Sequence, residues 1–344
     1  MSNTKIMQWK LLVFCLVLLV IFLVRGVFNS HDEQTLKEMR IIMGTMVTIT
    51  AHHHDVGVLS NAIDAAFKRI NQIDALMSTY KEESELSLLN KAKKPGRYPV
   101  SNDLWNVLEL AGRMYQQTDG VFDVTVKPLW DVWQLAADTN KMPLKSEIEK
   151  ILDGIGWRHI KLHSDSKEIE FVSESCMIVL GGIAKGYAVD VAIEALRDNG
   201  VQNCLVDAGG DIFCSGVAPD GKPWKIGVRN PFRTDSLSDT VRLKDMAVVT
   251  SGNYERMFEV ENQKFSQIID PRTGYPTIDI ASVTIIAPNT AVADALATAL
   301  MVMDTHSGIA LINRMSDTEA LIISTVNGEK KVISSDGFST YESK

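Results

Sequence analysis

The run Cys176-Met177-Ile178-Val179-Leu180-Gly181-Gly182-Ile183-Ala184-Lys185-Gly186-Tyr187 is where the reading of the fold begins. Its first five residues are apolar and read as a strand. The glycine pair then turns the chain, and apolar spacing predicts a helix from Ile183 to about Asp198, stopped at Gly200. Cys204–Val206 reads as the next strand. Paired glycines ahead of a helix let a backbone approach a phosphate, and the free N–H groups and dipole of the first turn both favour an anion. Lys185 falls in that first turn, where the dipole disfavours a cation, so its position points to an anionic partner. The stretch is neither G-x-x-x-x-G-K-[ST] nor G-x-G-x-x-G. Taken alone, a tight strand-to-helix turn explains it equally well.

Upstream, Met39 to Thr50 alternates and reads as a strand, and Ile63, Phe67, Ile70, Ile73 and Met77 recur at helical spacing. A second helix opens after Ser101 and stops at Asp119-Gly120. Ser146-x-x-Glu149 has the form of a capping box. Short strands are expected at Ile160–Leu162, Ile169–Val172, Trp224–Val228, Val241–Val249, Met257–Val260, Phe265–Ile269 and Ser282–Ile286. A helix runs from Thr290 to Met303, and Asn327-Gly328 closes a final hairpin. Helices dominate the first half and strands the second. This predicts an α+β fold, a single mixed domain with antiparallel strands rather than a doubly wound sheet.

The 344 residues are 45% apolar and 23% charged, a globular rather than a disordered balance. A net charge of −8 with no basic cluster excludes nucleic acid as the main partner. Of four cysteines, Cys15 lies in an apolar run, and Cys176, Cys204 and Cys214 lack C-x-x-C spacing; they read as small buried thiols. Leu11 to Val24 is an unbroken apolar run with Lys5 and Lys10 before it and Arg25 after it. Residues 1–25 are therefore expected to be an uncleaved signal anchor, or alternatively a cleaved signal peptide, with the rest outside the membrane. Residues 26–38 read as a linker and 39–344 as the working domain.

Asp294 and Thr298 stand at i and i+4 near the start of the Thr290 helix, so their oxygens share one face. A carboxylate, a hydroxyl and nearby carbonyls are hard ligands of the kind Mg²⁺ takes beside substrate phosphates. The same residues also suit a dipole-complementing Asp and a back-bonded Thr. Three loops, Asp119–Asp123, Asp207–Asp211 and Asp270–Gly274, gather five aspartates and Arg272 between apolar segments, a common way to build a site. His52-His53-His54 reads as a solvated strand end.

These stretches, in order, resemble the FAD:protein FMN transferases, the ApbE family. The matching segments are Met43-Gly44-Thr45, Ser78-Thr79-Tyr80, Ser84-Glu85-Leu86-Ser87, Asp119 to Val126, Gly181 to Tyr187, Val206 to Asp211, Thr250 to Tyr254, Ile269 to Gly274 and Ala293 to Thr298. The resemblance spans about Met43 to Met303. It implies Mg²⁺-dependent cleavage of the FAD pyrophosphate, transfer of FMN to a Thr hydroxyl of a target flavoprotein, and release of AMP. It further implies that Met43, Tyr80, Val121, Phe122, Asp123, Val179 and Ile269 belong to the flavin nucleotide site, that Lys185 neutralises phosphates, and that Asp294, Thr298 and the Gly182 carbonyl hold Mg²⁺. No acceptor-type S/T-G-A-T segment occurs in this chain, so the modified Thr belongs to another protein, expected to be a membrane or exported electron-transport flavoprotein.

The chain departs from the family pattern twice. Val179 stands where an Asp usually precedes Leu-Gly-Gly, and Gln267 where a His often precedes the Ile-Ile-Asp-Pro segment. An amide is no general base at neutral pH, which leaves Asp270 as the candidate base. The alternatives are an FAD pyrophosphate hydrolase giving FMN and AMP, and an exported flavin-binding protein with impaired catalysis.

Overall fold

Fifteen strands and eight principal helices are laid out by a computed structural model that describes residues 33–343, apart from 93–94, 234, 254–256, 278 and 327–328. The expected anchor over 1–25, Cys15, Tyr254 and the Asn327-Gly328 turn lie outside the described residues. Among the described residues no helix is long and apolar enough to cross a membrane. In chain order the strands are β1 (Gln34–Ile42), β2 (Thr45–His53), β3 (Gly96–Pro99), β4 (Ile160–His163) and β5 (Glu168–Phe171). Then come β6 (Asn203–Ala208), β7 (Asp211–Ser215), β8 (Trp224–Arg229), β9 (Leu237–Leu243) and β10 (Met246–Gly252). The last are β11 (Met257–Val260), β12 (Gln263–Ser266), β13 (Ile280–Ala287), β14 (Glu319–Val326) and β15 (Glu329–Ser334).

Eight of them form one sheet in the order β1-β2-β6-β7-β10-β13-β14-β15, antiparallel throughout. Alternation along each strand gives the sheet two apolar faces. The helices Val56–Met77, Ala184–Asp198 and Thr290–Leu300 cover one face, burying Phe67, Ile70, Val189, Ile193 and Leu296 with Ile49, Val206, Val249 and Ile285. The β8–β9 hairpin covers the other, setting Trp224, Ile226, Val228 and Val241 on Cys214, Val248 and Ile286. A satellite core of Leu129, Trp133, Ile148, Ile155, Phe258 and Ile269 joins the helices Lys127–Thr139 and Lys145–Leu152 to the β11–β12 hairpin. The α+β mixture expected from the sequence is the fold observed.

Several elements differ from the sequence reading. β1 begins at Gln34, inside the segment read as a 26–38 linker, so the folded domain starts before residue 39. The strand read over Met39–Thr50 is a hairpin, turned at Met43 and Gly44 with φ of 55° and 68°. A two-residue turn with both positions left-handed matches strand twist, and the alternation runs through it undisturbed. Cys176–Leu180 is no strand: Met177 makes a single bridge to Val126, and its neighbours are buried as an irregular segment. The helix Lys127–Thr139, opened by Pro128, carries an apolar face that the sequence reading passed over. At the helix Lys145–Leu152 it is Glu147, not Glu149, that reaches back, accepting from the Leu144 N–H at 3.0 Å. The helix from Thr290 ends at Leu300, short of Met303. His52 is buried rather than solvated, with its Nε2 2.7 Å from the Val217 carbonyl and its Nδ1 against Glu33. Cys176, Cys204 and Cys214 are buried free thiols, as read.

The closest helix approach sets the site. A Cβ on Gly186 would stand 2.4 Å from the Thr290 carbonyl oxygen and 2.8 Å from the Ala291 Cα, so only glycine lets these two helices meet. Gly186→Ala is expected to cost about 2 kcal/mol through overpacking against unyielding backbone. Urea unfolding of both proteins measures it, and equal stabilities would contradict the close approach.

Candidate functional site

Where the helices touch, the backbone N–H of Gly186 donates to Asp294 Oδ2 at 3.2 Å. One turn further along the Ala184–Asp198 helix, Asp190 accepts from the Thr290 N–H at 2.7 Å and the Ala291 N–H at 2.9 Å. Asp190 thereby satisfies two of the donors that a helix start leaves unpaired. Burial pushes its carboxyl up to about 6, against the pull of those N–H groups.

Lys185 Nζ donates to Asp211 Oδ2 at 2.7 Å. Asp211 opens β7 and is 1% exposed; Asp294 is 3% exposed. The turn before Asp211 is shaped by Asp207, whose carboxylate accepts from the Gly210 N–H at 2.8 Å. Burial, and then the neighbouring Asp211 charge, push the Asp294 carboxyl well above the usual carboxylate range, while Lys185 and the Gly186 N–H oppose the shift. Gly182 completes the corner: a Cβ there would lie 2.8 Å from Thr298 Oγ1, so the main chain of Gly182 is pressed against the Thr298 hydroxyl. Gly182, Lys185, Asp294 and Thr298, expected together from the sequence, are brought together.

These residues suit a hard divalent cation. The carboxylate of Asp294 is buried with its charge incompletely offset, and the cradle at Gly182 is one that a side chain would fill. Among the described residues no group of three or more His, Cys, Asp and Glu has metal-holding geometry. The donors here are thus few carboxylates with hydroxyl and carbonyl oxygens, the set Mg²⁺ accepts when substrate oxygens complete it.

Of the residues expected around a flavin, Tyr80 and Ile269 stand at the satellite core and Met43, Val121 and Phe122 at the main one. Tyr80 is 72% exposed and stands edge-on to Trp130 at 6.3 Å between ring centroids. Trp130 in turn meets Phe258 edge-on, and Ile269 is buried in the same satellite core. Met43 sits half-buried at its left-handed turn position. Val121 and Phe122 are buried in the main core, so what their turn offers a ligand is backbone and Asp123. The Asp123 carboxylate accepts from the Thr125 N–H and hydroxyl at 2.8 and 2.7 Å, and burial raises it. Val179 is half-buried, its N–H bonded to the Val124 carbonyl at 2.8 Å.

Asp270 is not the free base expected from the sequence. Arg272 closes on it with Nε to Oδ1 and Nη2 to Oδ2, both 2.9 Å, and the Arg272 N–H adds a bond to Oδ1 at 2.8 Å. Arg272 Nη2 also donates to the Val302 carbonyl at 3.3 Å, tying this loop to the segment after the Asp294 helix, and Trp133 Nε1 holds the Gly274 carbonyl at 2.9 Å. A cavity of about 200 Å³ lies between the two, lined by Asp270, Tyr275 and Met301 among others. Gln267 is half-buried and makes no hydrogen bond to another described residue. A larger cleft of about 550 Å³, near Arg113 and Asp190, contains none of the expected site residues.

Two contributors escaped the sequence reading. Asp211 was visible only as one of five loop aspartates; its burial is what separates it from the others. Asn90, buried on the helix Glu85–Ala92, clamps Ile178 by accepting from its N–H at 2.8 Å and donating to its carbonyl at 2.7 Å, fixing the approach to the glycine pair. No local signal marks such a contact across 88 residues.

A buried pair of carboxylates beside a lysine at a helix start is an arrangement suited to a protein that holds a phosphorylated ligand. Comparison with known proteins agrees. Over 287 residues the chain is 33% identical to an FAD:protein FMN transferase of Vibrio cholerae, covering 82% of this chain and 84% of that protein. It is 34% identical to one of Haemophilus influenzae, covering 77% and 78%. The fold superposes on the ApbE protein of Thermotoga maritima with a TM-score of 0.82 at 31% identity, covering 90% of this chain and all of that one. On the flavin transferase ApbE of Vibrio cholerae the TM-score is 0.78 at 28% identity, with 90% and 99% covered. Residues 43–322 match the ApbE family, and the chain belongs to it.

The raised Asp190 carboxyl has a measurable consequence. A carboxyl lifted from its ordinary value to about 6 favours the folded state in its protonated form, a contribution lost as pH rises through 6. The stability of the wild type relative to Asp190→Asn is therefore expected to fall from about pH 4 to about pH 6 and to level off above. Urea unfolding of both proteins across that range tests it, and a constant or rising difference contradicts the assignment.

Proposed function

We propose that this enzyme moves FMN from FAD to a Thr hydroxyl of another protein and releases AMP, with Mg²⁺ held by Asp294, Thr298 and the Gly182 carbonyl. The observation that carries this reading is the convergence of Gly182, Lys185, Asp294 and Thr298 from two helices at one buried corner. The names of its relatives supply the reaction class, and the corner suits the chemistry.

In that reaction the acceptor oxygen bonds to the phosphorus of the FMN half of the pyrophosphate. The bond from that phosphorus to the bridging oxygen breaks, AMP departs with the electron pair, and the hydroxyl proton leaves to solvent. The transition state of such transfers is loose, so catalysis rests on positioning and charge rather than on a strong base. This suits a chain in which Asp270 is occupied by Arg272 and Gln267 cannot take a proton. Lys185 supplies positive charge at the pyrophosphate, and the start of the Ala184–Asp198 helix adds its N–H groups and dipole. Tyr80, exposed and with Trp130 behind it, offers apolar surface for the isoalloxazine. The bound cation would polarise the phosphoryl oxygens and offset the charge growing on the leaving phosphate.

The apolar run Leu11–Val24, flanked by Lys5, Lys10 and Arg25, supports an N-terminal membrane anchor with the catalytic domain on the extracytoplasmic side. The partner is then a membrane or exported electron-transport flavoprotein with an S/T-G-A-T acceptor segment.

The test incubates the chain with FAD, Mg²⁺ and a protein bearing an exposed S/T-G-A-T segment. The expected result is an acceptor heavier by one FMN with an equal amount of AMP. Free FMN and AMP with an unlabelled acceptor would identify a hydrolase instead. Asp294→Ala is expected to lower turnover by at least about a hundredfold, the upper end of what even outer-shell partners of a metal contribute. Full activity in that variant would overturn the metal assignment.

A further inference from the structure

We propose that Asp211 is a positioning residue that holds the Lys185 ammonium away from Asp294, so that one buried carboxylate serves the lysine and the other is left for the cation. The proposal rests on the transferase reading above and assigns a residue which that reading does not use. Two buried carboxylates stand against each other near one lysine, and Lys185 Nζ bonds to Asp211 Oδ2, while Asp294 is met by the Gly186 N–H and by the Asp211 side chain. The lysine side chain is 28% exposed and the Asp211 side chain 2%, so a rigid acceptor orients a flexible donor. Rigidity has a structural source. Asp211 is paired through its backbone with Ala208 of β6 and Val249 of β10, at the head of a turn braced by Asp207.

Lys185 needs such a partner. It lies in the first turn of its helix, where the dipole repels a cation, and a long flexible side chain there turns to solvent or to the nearest anion. Without Asp211 the carboxylates left within reach of the Lys185 charge are Asp207 and Asp294, and Asp294 is the more deeply buried of the two. A lysine drawn to Asp294 would compete with the cation for the same oxygens and leave the phosphates without their counter-charge. Division of labour between the two carboxylates is therefore the function of the pair, and Asp211 exercises it through Lys185 without touching the reacting atoms.

The experiment uses the full chain as wild type, Asp211→Asn, Lys185→Met and the double variant. FAD binding is followed by flavin fluorescence over a range of Mg²⁺ concentrations without acceptor, and FMN transfer is followed with acceptor present. Asp211→Asn is expected to raise the Mg²⁺ concentration for half-maximal FAD binding by about fivefold or more and to lower kcat by about tenfold or more. In the Lys185→Met background the same substitution is expected to change neither by more than about twofold, because the competing ammonium is gone. A merely structural role would instead multiply the losses in both backgrounds. Multiplying effects, or a wild-type Mg²⁺ requirement in Asp211→Asn, overturn the proposal. Should Asp211→Asn fail to fold, Asp211→Glu keeps the buried charge but displaces the ammonium by one methylene. It is expected to lower kcat while leaving the Mg²⁺ requirement within about twofold, since the lysine stays paired. An unchanged kcat there overturns the proposal. A wild type that binds FAD without any response to Mg²⁺ refutes the transferase reading and this one together, whereas a responsive wild type with an unaffected Asp211→Asn refutes this one alone.

Discussion

Gly186 lets the Ala184–Asp198 and Thr290–Leu300 helices approach until the backbone of one meets the backbone of the other, and the rest of the site depends on that contact. The Gly186 N–H reaches Asp294, and one turn away Asp190 reaches back to cap the Thr290 helix. The three bonds, one donated by the Gly186 N–H and two by the Thr290 and Ala291 N–H groups, cross one interface in opposite senses and fix the helices in rotation as well as in distance. Lys185 precedes Gly186 directly, so the same contact sets where the ammonium emerges. Thr298, one turn beyond Asp294, is carried against Gly182 by the same geometry.

Burial gives the corner an electrostatic cost. Asp294 and Asp211 are both removed from water, and one lysine is too little charge to balance two carboxylates. A purely structural core would replace such a cluster with apolar residues at no loss, because buried charge is seldom net stabilising. The carboxyl of Asp294, held well above the ordinary range, is therefore a group whose ionised form an added positive charge would favour. Arg272 shows the contrasting arrangement. It neutralises Asp270 through both oxygens and ties the loop to Val302, a closed pair that braces the wall rather than offering a free charge.

Much of this was legible in the sequence because the signals are local. A glycine pair ahead of apolar helical spacing, a lysine against the dipole, and an Asp and Thr four residues apart each announce themselves within a few residues. The mixed α+β character followed from alternation in the second half of the chain. What stayed hidden is set by long-range contact. Asp211 looks like any turn aspartate until β6 and β10 close around it, and Asn90 acts on a segment 88 residues away. Cys176–Leu180 has the composition of a strand but is buried by packing, with one bridge in place of a ladder. The start of β1 at Gln34 is equally invisible, since Gln34, Thr35, Lys37 and Glu38 are polar and gain order only by pairing with Ala51–His53 and their neighbours.

Val179 and Gln267, where the family resemblance anticipates Asp and His, lie in or beside segments whose path is set by backbone bonds. The Val179 N–H is held by the Val124 carbonyl, and the segment after Gln267 is held by bonds from the Thr277 N–H to the Ile268 carbonyl and from the Asp270 N–H to the Tyr275 carbonyl. Any residue at these positions can make such main-chain bonds. The substitutions therefore change side-chain chemistry without moving the chain, and they leave the corner of Gly182, Lys185, Asp294 and Thr298 intact. In the proposed transfer, whose transition state is loose, that corner would supply the charge that matters, and a general base is the part most easily spared.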